Sequence, residues 1–252
     1  MTVHPQLPLA LDTAPARSFT SFHVDQENTV VRDALQAFLA NKLDDTQIYL
    51  WGHEGAGKSH LLSAACEQLS ASGYRIAFLP GELVNAEGSL EAMDRYDLLC
   101  IDDLQRMDHA AEIDLFHCVN RCRDANTKLI FAADRAPDEL GVRLPDLKTR
   151  LSFGLVFHIR PLSERGLQSA LRREIQLRSL SASDEVIAYV LRRFPRRISL
   201  LKQVVDELDQ VSLSEQRRIT IPLVKQVFGE AQRVALNELG QLQTDLSDAW
   251  TK

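Results

Sequence analysis

The sequence predicts an α/β fold, a parallel sheet flanked by helices, followed by a smaller all-helical domain. Three observations predict it. Short apolar runs alternate with amphipathic segments up to about residue 160, as parallel strands do when joined by covering helices. A glycine-rich turn at residues 52 to 59 stands between a strand candidate and a helix candidate. From Pro161 onward the strand candidates stop and helical periodicity takes over.

Each element has its own signal. Ile48, Tyr49, Leu50 and Trp51 form an apolar, aromatic run of strand character, and Leu61, Leu62, Ala65 and Leu69 then recur at helical spacing until Ser72-Gly73 supplies a stop. Arg75 to Leu79, Leu98 to Ile101, Lys128 to Ala133 and Val156 to Ile159 are the later strand candidates. Helical patterns follow at Arg165 to Leu180, Ser183 to Phe194, Leu200 to Leu213 and Pro222 to Phe228. Ser183 and Asp184 suit a helix cap, and Pro222 suits a first helical turn. The expected division is a tail over 1 to 18, an α/β domain over 19 to 162, a helical domain over 163 to 228, and a polar, weakly periodic extension over 229 to 252.

The turn itself carries chemistry. Gly52-His53-Glu54-Gly55-Ala56-Gly57-Lys58-Ser59 is a full match to G-x-x-x-x-G-K-[ST], and His60 continues into the helix. Glycines let backbone N–H groups close on phosphate oxygens, the helix N-terminus adds a favourable field, Lys58 neutralises β/γ charge and Ser59 offers a hydroxyl to Mg²⁺. A chance glycine-rich turn is the bland alternative, which the flanking strand and helix disfavour. ADP or ATP with Mg²⁺ is therefore the expected ligand. The second chemical element is Leu98-Leu99-Cys100-Ile101-Asp102-Asp103, an apolar strand that delivers two carboxylates 44 residues after Lys58. Asp102 would hold the metal, partly through water, and Asp103 stands where an acid could polarise water. A buried strand ending at a solvated turn is the alternative.

Composition bounds the rest. The 252 residues carry a formal net charge of −6, 45% hydrophobic and 25% charged residues, enough for one large domain or two small ones. Acidity argues against a general nucleic-acid binder, although Arg160 to Lys202 holds ten Lys/Arg against four Asp/Glu. That stretch reads first as a solvated helical face and second as a nucleic-acid patch. Cys66, Cys100, Cys118 and Cys122 form no C-x-x-C pair and read as reduced thiols in a cytoplasmic protein. No signal peptide or membrane span is expected.

Several segments together resemble a family. Asp102-Asp103-Leu104-Gln105, Ala133-Asp134-Arg135-Ala136-Pro137 and Asp146-Leu147-Lys148-Thr149-Arg150-Leu151-Ser152-Phe153-Gly154 look like successive signatures of the AAA+ module of the DnaA/Hda family of bacterial replication proteins. Phe19-Thr20-Ser21-Phe22, followed by Asn28, resembles the approach to that family's adenine pocket, which makes Phe22 and Asn28 nucleotide-site candidates. The resemblance runs from about Ser18 to Phe228. It implies an AAA+ base with a helical lid, and a lone module without the initiator's N-terminal region or its DNA-binding domain.

The tail adds a partner. Gln6-Leu7-Pro8-Leu9-Ala10-Leu11, in a stretch that Pro5, Pro8 and Pro15 keep out of helix, resembles the peptide by which proteins dock into the replicative polymerase's sliding clamp. A plain tail or an extra strand is the other reading of these residues. Taken together, the resemblances imply a negative regulator of replication initiation. It would be nucleotide-bound, tethered to the clamp on DNA, and would stimulate hydrolysis of the ATP held by DnaA. Arg150 aligns with the arginine supplied in trans to a neighbour's phosphate, with Arg143 a weaker candidate. Asp134 follows the family's pattern for the strand residue that senses the γ-phosphate. Two departures matter. Ser199 stands where lid helices commonly carry a sensing arginine, with Arg196 and Arg197 out of register. Asp103 replaces the Glu of vigorous ATPases, so strong intrinsic turnover is not expected. DnaA and the clamp are the implied partners, self-association is compatible, and DNA contact is weak or indirect. A helicase-loading or DNA-remodelling ATPase and a non-catalytic clamp adaptor are the alternative functions.

Overall fold

Strand formation follows the alternation of side chains about the sheet plane. In β1 (Gln47–Trp51), Ile48 and Leu50 enter one hydrophobic core while Tyr49 enters the other. The same division runs through β3 (Leu98–Asp102), where Leu98 and Cys100 oppose Leu99 and Ile101, and through β4 (Lys128–Ala133), where Ile130 and Ala132 oppose Leu129 and Phe131. Both faces are covered, which is why these strands read as continuous apolar runs. With β2 (Ile76–Pro80) and β5 (Leu155–His158), they form a five-stranded parallel sheet in the order β2-β3-β4-β1-β5.

The computed structural model describes residues 18 to 229 except 24, 216 and 217. One face of the sheet is covered by α1 (Gln26–Leu39), which buries Val31, Leu35, Phe38 and Leu39, and by α2 (Lys58–Ala71), which buries Leu61, Leu62, Ala64, Ala65 and Leu69. The other face is covered by α3 (Glu112–Asp124) and α4 (Pro145–Leu151), through Leu115, Cys118, Val119, Cys122, Leu147 and Leu151. Between β2 and β3 the chain runs through two short 3-10 turns at Gly81–Asn85 and Met93–Arg95.

Contacts divide the chain between Pro161 and Leu162. The second unit is helical, with α5 (Glu164–Leu177), α6 (Asp184–Arg193), α7 (Ile198–Glu215) and α8 (Ile221–Val227) around a separate core that includes Leu171, Ile187, Leu201, Val204 and Val224. Three of its helices start on side-chain caps. Ser163 Oγ accepts from Gly166 N, Ser183 Oγ from Val186 N, as its position suggests, and Thr220 Oγ1 from Leu223 N. Pro222 lies in the first turn of α8. Among the described residues, no helix is long and apolar enough to cross a membrane.

Candidate functional site

The chain leaves β1 at Trp51, turns through the glycine-rich loop and enters α2 at Lys58. Gly57 is the last residue before the helix, in a left-handed conformation at φ +106°. A Cβ on it would lie 2.7 Å from Cε2 of Phe22. Phe22 is buried against the loop, and its ring centroid lies 5.4 Å from that of His60. His60 Nε2 is in turn 3.0 Å from the Ser18 carbonyl. Phe22 and His60 therefore join the upstream segment to the loop. Asn28 is buried beside the exit from β5, with its amide committed to the backbone of Arg160.

The first turn of α2 has no side-chain cap and holds no acidic residue of its own, and its N-terminal N–H groups carry the positive end of the helix dipole. Lys58 is buried, and its ammonium donates to the carbonyls of Gly52 at 2.7 Å and His53 at 3.2 Å. Burial lowers its pKa, while the nearby charges of Asp103, Asp102, Asp134 and Glu54 pull the other way. A phosphate would supply the compensating charge that carbonyl dipoles give only in part.

Asp102, at the end of β3, is buried, and burial raises its carboxyl above the usual carboxylate range; a hydrogen bond from the Ser59 hydroxyl opposes the shift. The two residues predicted to hold Mg²⁺ are thus adjacent. Among the described residues, no group of three or more His, Cys, Asp or Glu is placed to hold a metal by itself. The donor set fits a Mg²⁺ that takes one carboxylate and one hydroxyl from protein and its other ligands from phosphate and water.

Asp103 is in the left-handed region, at φ 49° and ψ 47°. Its N–H donates to Asp102 Oδ1 at 2.9 Å, and its own Oδ1 accepts from Gln105 Nε2 at 2.9 Å. The other end of that amide, Gln105 Oε1, accepts from the N–H of Asp134 at 3.1 Å. One glutamine side chain thereby links the ends of β3 and β4, a role that its place in the Asp-Asp-Leu-Gln segment marks only as a polar residue just past the acids. The Asp134 carboxylate has Oδ2 3.7 Å from Arg135 Nε, while Oδ1 is buried without a hydrogen-bond partner among the described residues.

Arg150 lies in the last turn of α4, half-buried, 5.8 Å from the ring of the exposed Phe153, which also carries the guanidinium of Arg123 at 4.6 Å. Arg143 is exposed just ahead of α4. Ser199 is exposed in the first turn of α7, behind Arg196 and Arg197, and Arg196 Nη1 is 3.9 Å from Glu164. Gln6, Leu7, Pro8, Leu9, Ala10 and Leu11 lie outside the described residues.

A parallel sheet in this strand order, with a phosphate-type loop after β1, paired acids at the end of β3 and a following helical unit, defines an AAA+ module. Residues 14–158 match the family model of the bacterial DnaA ATPase domain, and residues 164–228 match that of the Hda lid domain. The first match spans more than half of the chain, which belongs to the DnaA/Hda family of AAA+ proteins. Solved structures agree on the fold. Domain III of the Thermotoga maritima replication initiation protein DnaA aligns at a TM-score of 0.74 and 20% identity, over 85% of this chain and 96% of that one. AMPPCP-bound DnaA from Aquifex aeolicus aligns at 0.67 and 24%, over 81% and 69%. The Thermotoga maritima Holliday junction branch migration motor RuvB aligns at 0.66 and 18%, over 84% and 72%.

Proposed function

We propose that the protein is a nucleotide-bound negative regulator of replication initiation that stimulates hydrolysis of the ATP held by DnaA. The observation that carries this reading is the joining of a DnaA-type ATPase domain to a lid of the Hda type in one chain. ADP or ATP would be held by the loop from Gly52 to Ser59, with Phe22 and His60 closing the upstream side. Its bound phosphates would relieve the desolvation of Lys58, and Mg²⁺ would be shared by Ser59 and Asp102 with those phosphates. Support for nucleotide comes also from the AMPPCP bound by the similar Aquifex aeolicus protein.

In this reading Arg150 acts on the partner's nucleotide. Its guanidinium, near the exposed end of α4, would enter the site of a neighbouring DnaA and stabilise the charge that spreads over the γ-phosphoryl oxygens as its bond to the leaving group breaks. The chain's own Asp103 and Asp134 would act at most weakly on its own nucleotide, since Gln105 already engages the Asp103 carboxylate. Residues Gln6 to Leu11 would tether the protein to the sliding clamp on DNA. The basic stretch in the lid gives a DNA-gripping ATPase less support than its charge count suggests. Arg172 pairs with Asp184 at 2.5 Å, Arg178 with Glu174 and Asp206, and Lys202 with Glu174.

The test is DnaA-ATP hydrolysis with clamp loaded on DNA. Arg150→Ala is expected to leave nucleotide and clamp binding intact and to cost on the order of 10³ in stimulated rate. Arg150→Lys should restore little, because an ammonium lacks the planar fork. Full stimulation by Arg150→Ala would reject Arg150 as the trans-acting group, with Arg143 next to examine. Stimulation lost together with clamp or nucleotide binding would make Arg150 structural. High steady-state ATPase of the chain alone would favour the remodelling reading.

A further inference from the structure

The helix that carries Arg150 is only seven residues long, too short to hold itself in place. Two buried polar side chains from distant parts of the chain grip its two ends. At the C-terminal end, Gln47 of β1 is buried to 2% exposure, and its Nε2 donates to the carbonyls of Arg150 at 2.9 Å, Leu151 at 3.2 Å and Phe153 at 3.0 Å. Gln47 Oε1 is left buried and without a hydrogen-bond partner among the described residues. The chain can approach β1 so closely because residue 154 is glycine at φ +73°, where a Cβ would lie 2.3 Å from the Gln47 carbonyl oxygen.

At the N-terminal end, the carboxylate of Glu112, buried to 3% exposure at the start of α3, accepts from Arg143 N at 3.0 Å and from Leu144 N at 2.7 Å. Leu144, the residue before α4, offers no side-chain cap of its own. His109 Nδ1 lies 2.6 Å from Glu112 Oε1, the oxygen that also accepts from Arg143 N at 3.0 Å, and helps to fix the carboxylate.

We propose that Gln47 and Glu112 are positioning residues: together they fix both ends of α4 and so present Arg150 in a set direction to the neighbouring molecule's phosphates. The proposal rests on the role given to Arg150 above. Burying a glutamine amide with its oxygen unpartnered costs stability, so Gln47 is not optimised for folding alone. Its value lies in aiming the helix end, because a misplacement of about 1 Å can cost on the order of 100-fold in rate.

Gln47→Met keeps length and removes the donor, and Glu112→Gln keeps shape while turning one acceptor into a donor. Each is measured for maximal DnaA-ATP hydrolysis and for the concentration giving half of it, with clamp on DNA, and for amide exchange over residues 143 to 153. Both variants are expected to lower the maximal rate by about 10- to 100-fold, with half-saturating concentration and ADP affinity unchanged and amide exchange faster. In an Arg150→Ala background, neither should lower the rate further. If one variant fails to fold, the other carries the same readouts. The proposal is overturned if a folded variant keeps the full maximal rate while Arg150→Ala loses it, or if its loss adds to that of Arg150→Ala. If Arg150→Ala itself keeps full stimulation, the role of Arg150 fails first and the positioning role falls with it.

Discussion

Asn28 and Arg160, separated by 132 residues, exchange two hydrogen bonds: Asn28 Nδ2 donates to the Arg160 carbonyl at 2.7 Å, and Arg160 N donates to Asn28 Oδ1 at 3.2 Å. The pair fastens the start of α1 to the chain leaving β5. Asn28 is 2% exposed, so Asn28→Ala would leave two backbone groups without their partner. A loss of about 1–3 kcal/mol in denaturant unfolding is expected, with the slope unchanged. Asn28→Asp keeps one of the two bonds, turns the amide donor into a charged acceptor facing the carbonyl, and should cost as much or more.

Lys58→Ala removes the ammonium buried in the loop. Affinity for both ADP and ATP should fall in a calorimetric titration, and the rise in melting temperature that saturating nucleotide gives by mass action should shrink in parallel. Equal ADP affinity in the variant would remove Lys58 from the nucleotide site.

Gly57→Ala tests the loop's backbone. The new Cβ would meet the Phe22 ring at 2.7 Å and impose strain at φ +106°. The expected cost is about 1–3 kcal/mol of stability. Phe22→Leu in the same chain should recover part of it by clearing the ring, whereas the strain in φ should persist.

The pH dependence of Glu112 has a definite sign. Burial alone would raise its pKa, but His109 and the N–H groups of Arg143 and Leu144 overcome this and lower it. Its contribution to stability is therefore fully present above the ordinary glutamate pKa of about 4.3 and is lost as pH falls through the lower folded value. Thermal melts between about pH 5 and pH 3 should show a steeper loss for the parent than for Glu112→Gln.

Gln6→Ala combined with Leu7→Ala tests the tail. Retention on clamp should be abolished and nucleotide binding unchanged, the parent affinity being on the order of micromolar. Co-elution of the double variant with clamp would reduce these residues to a plain tail.

The phosphate loop and the acid pair are legible because each is a contiguous run whose chemistry depends on spacing alone. Strand positions are legible to within a residue. The sequence places strands at Arg75 to Leu79 and Val156 to Ile159, whereas β2 is Ile76–Pro80 and β5 is Leu155–His158. The displaced ends remain bonded: Arg75 N donates to Asp97 Oδ2, and Ile159 N to the Trp51 carbonyl. The helix α1 escapes notice although Val31, Leu35, Phe38 and Leu39 have helical spacing; Asp25 before it makes no side-chain cap. Gln47 and Glu112 are illegible for another reason. Gln47 acts on a carbonyl 103 residues away and Glu112 on an N–H 31 residues away, so neither belongs to a local pattern. A lone glutamine that opens a strand reads as an ordinary edge residue until the chain closes on it.

His60 pins the carbonyl of Ser18 to the first turn of α2, and that contact gives the proposed tether a ruler. Leu11 is separated from Ser18 by seven residues, a covalent span of at most about 25 Å at full extension. A partner gripping Gln6 to Leu11 would be confined to a small sphere centred beside the nucleotide loop, whatever path the intervening chain takes. Within that radius the partner surface around its peptide pocket would meet the AAA+ base at an effective concentration of at least the order of millimolar. Each residue inserted between Leu11 and Ser18 would widen the sphere and dilute that advantage.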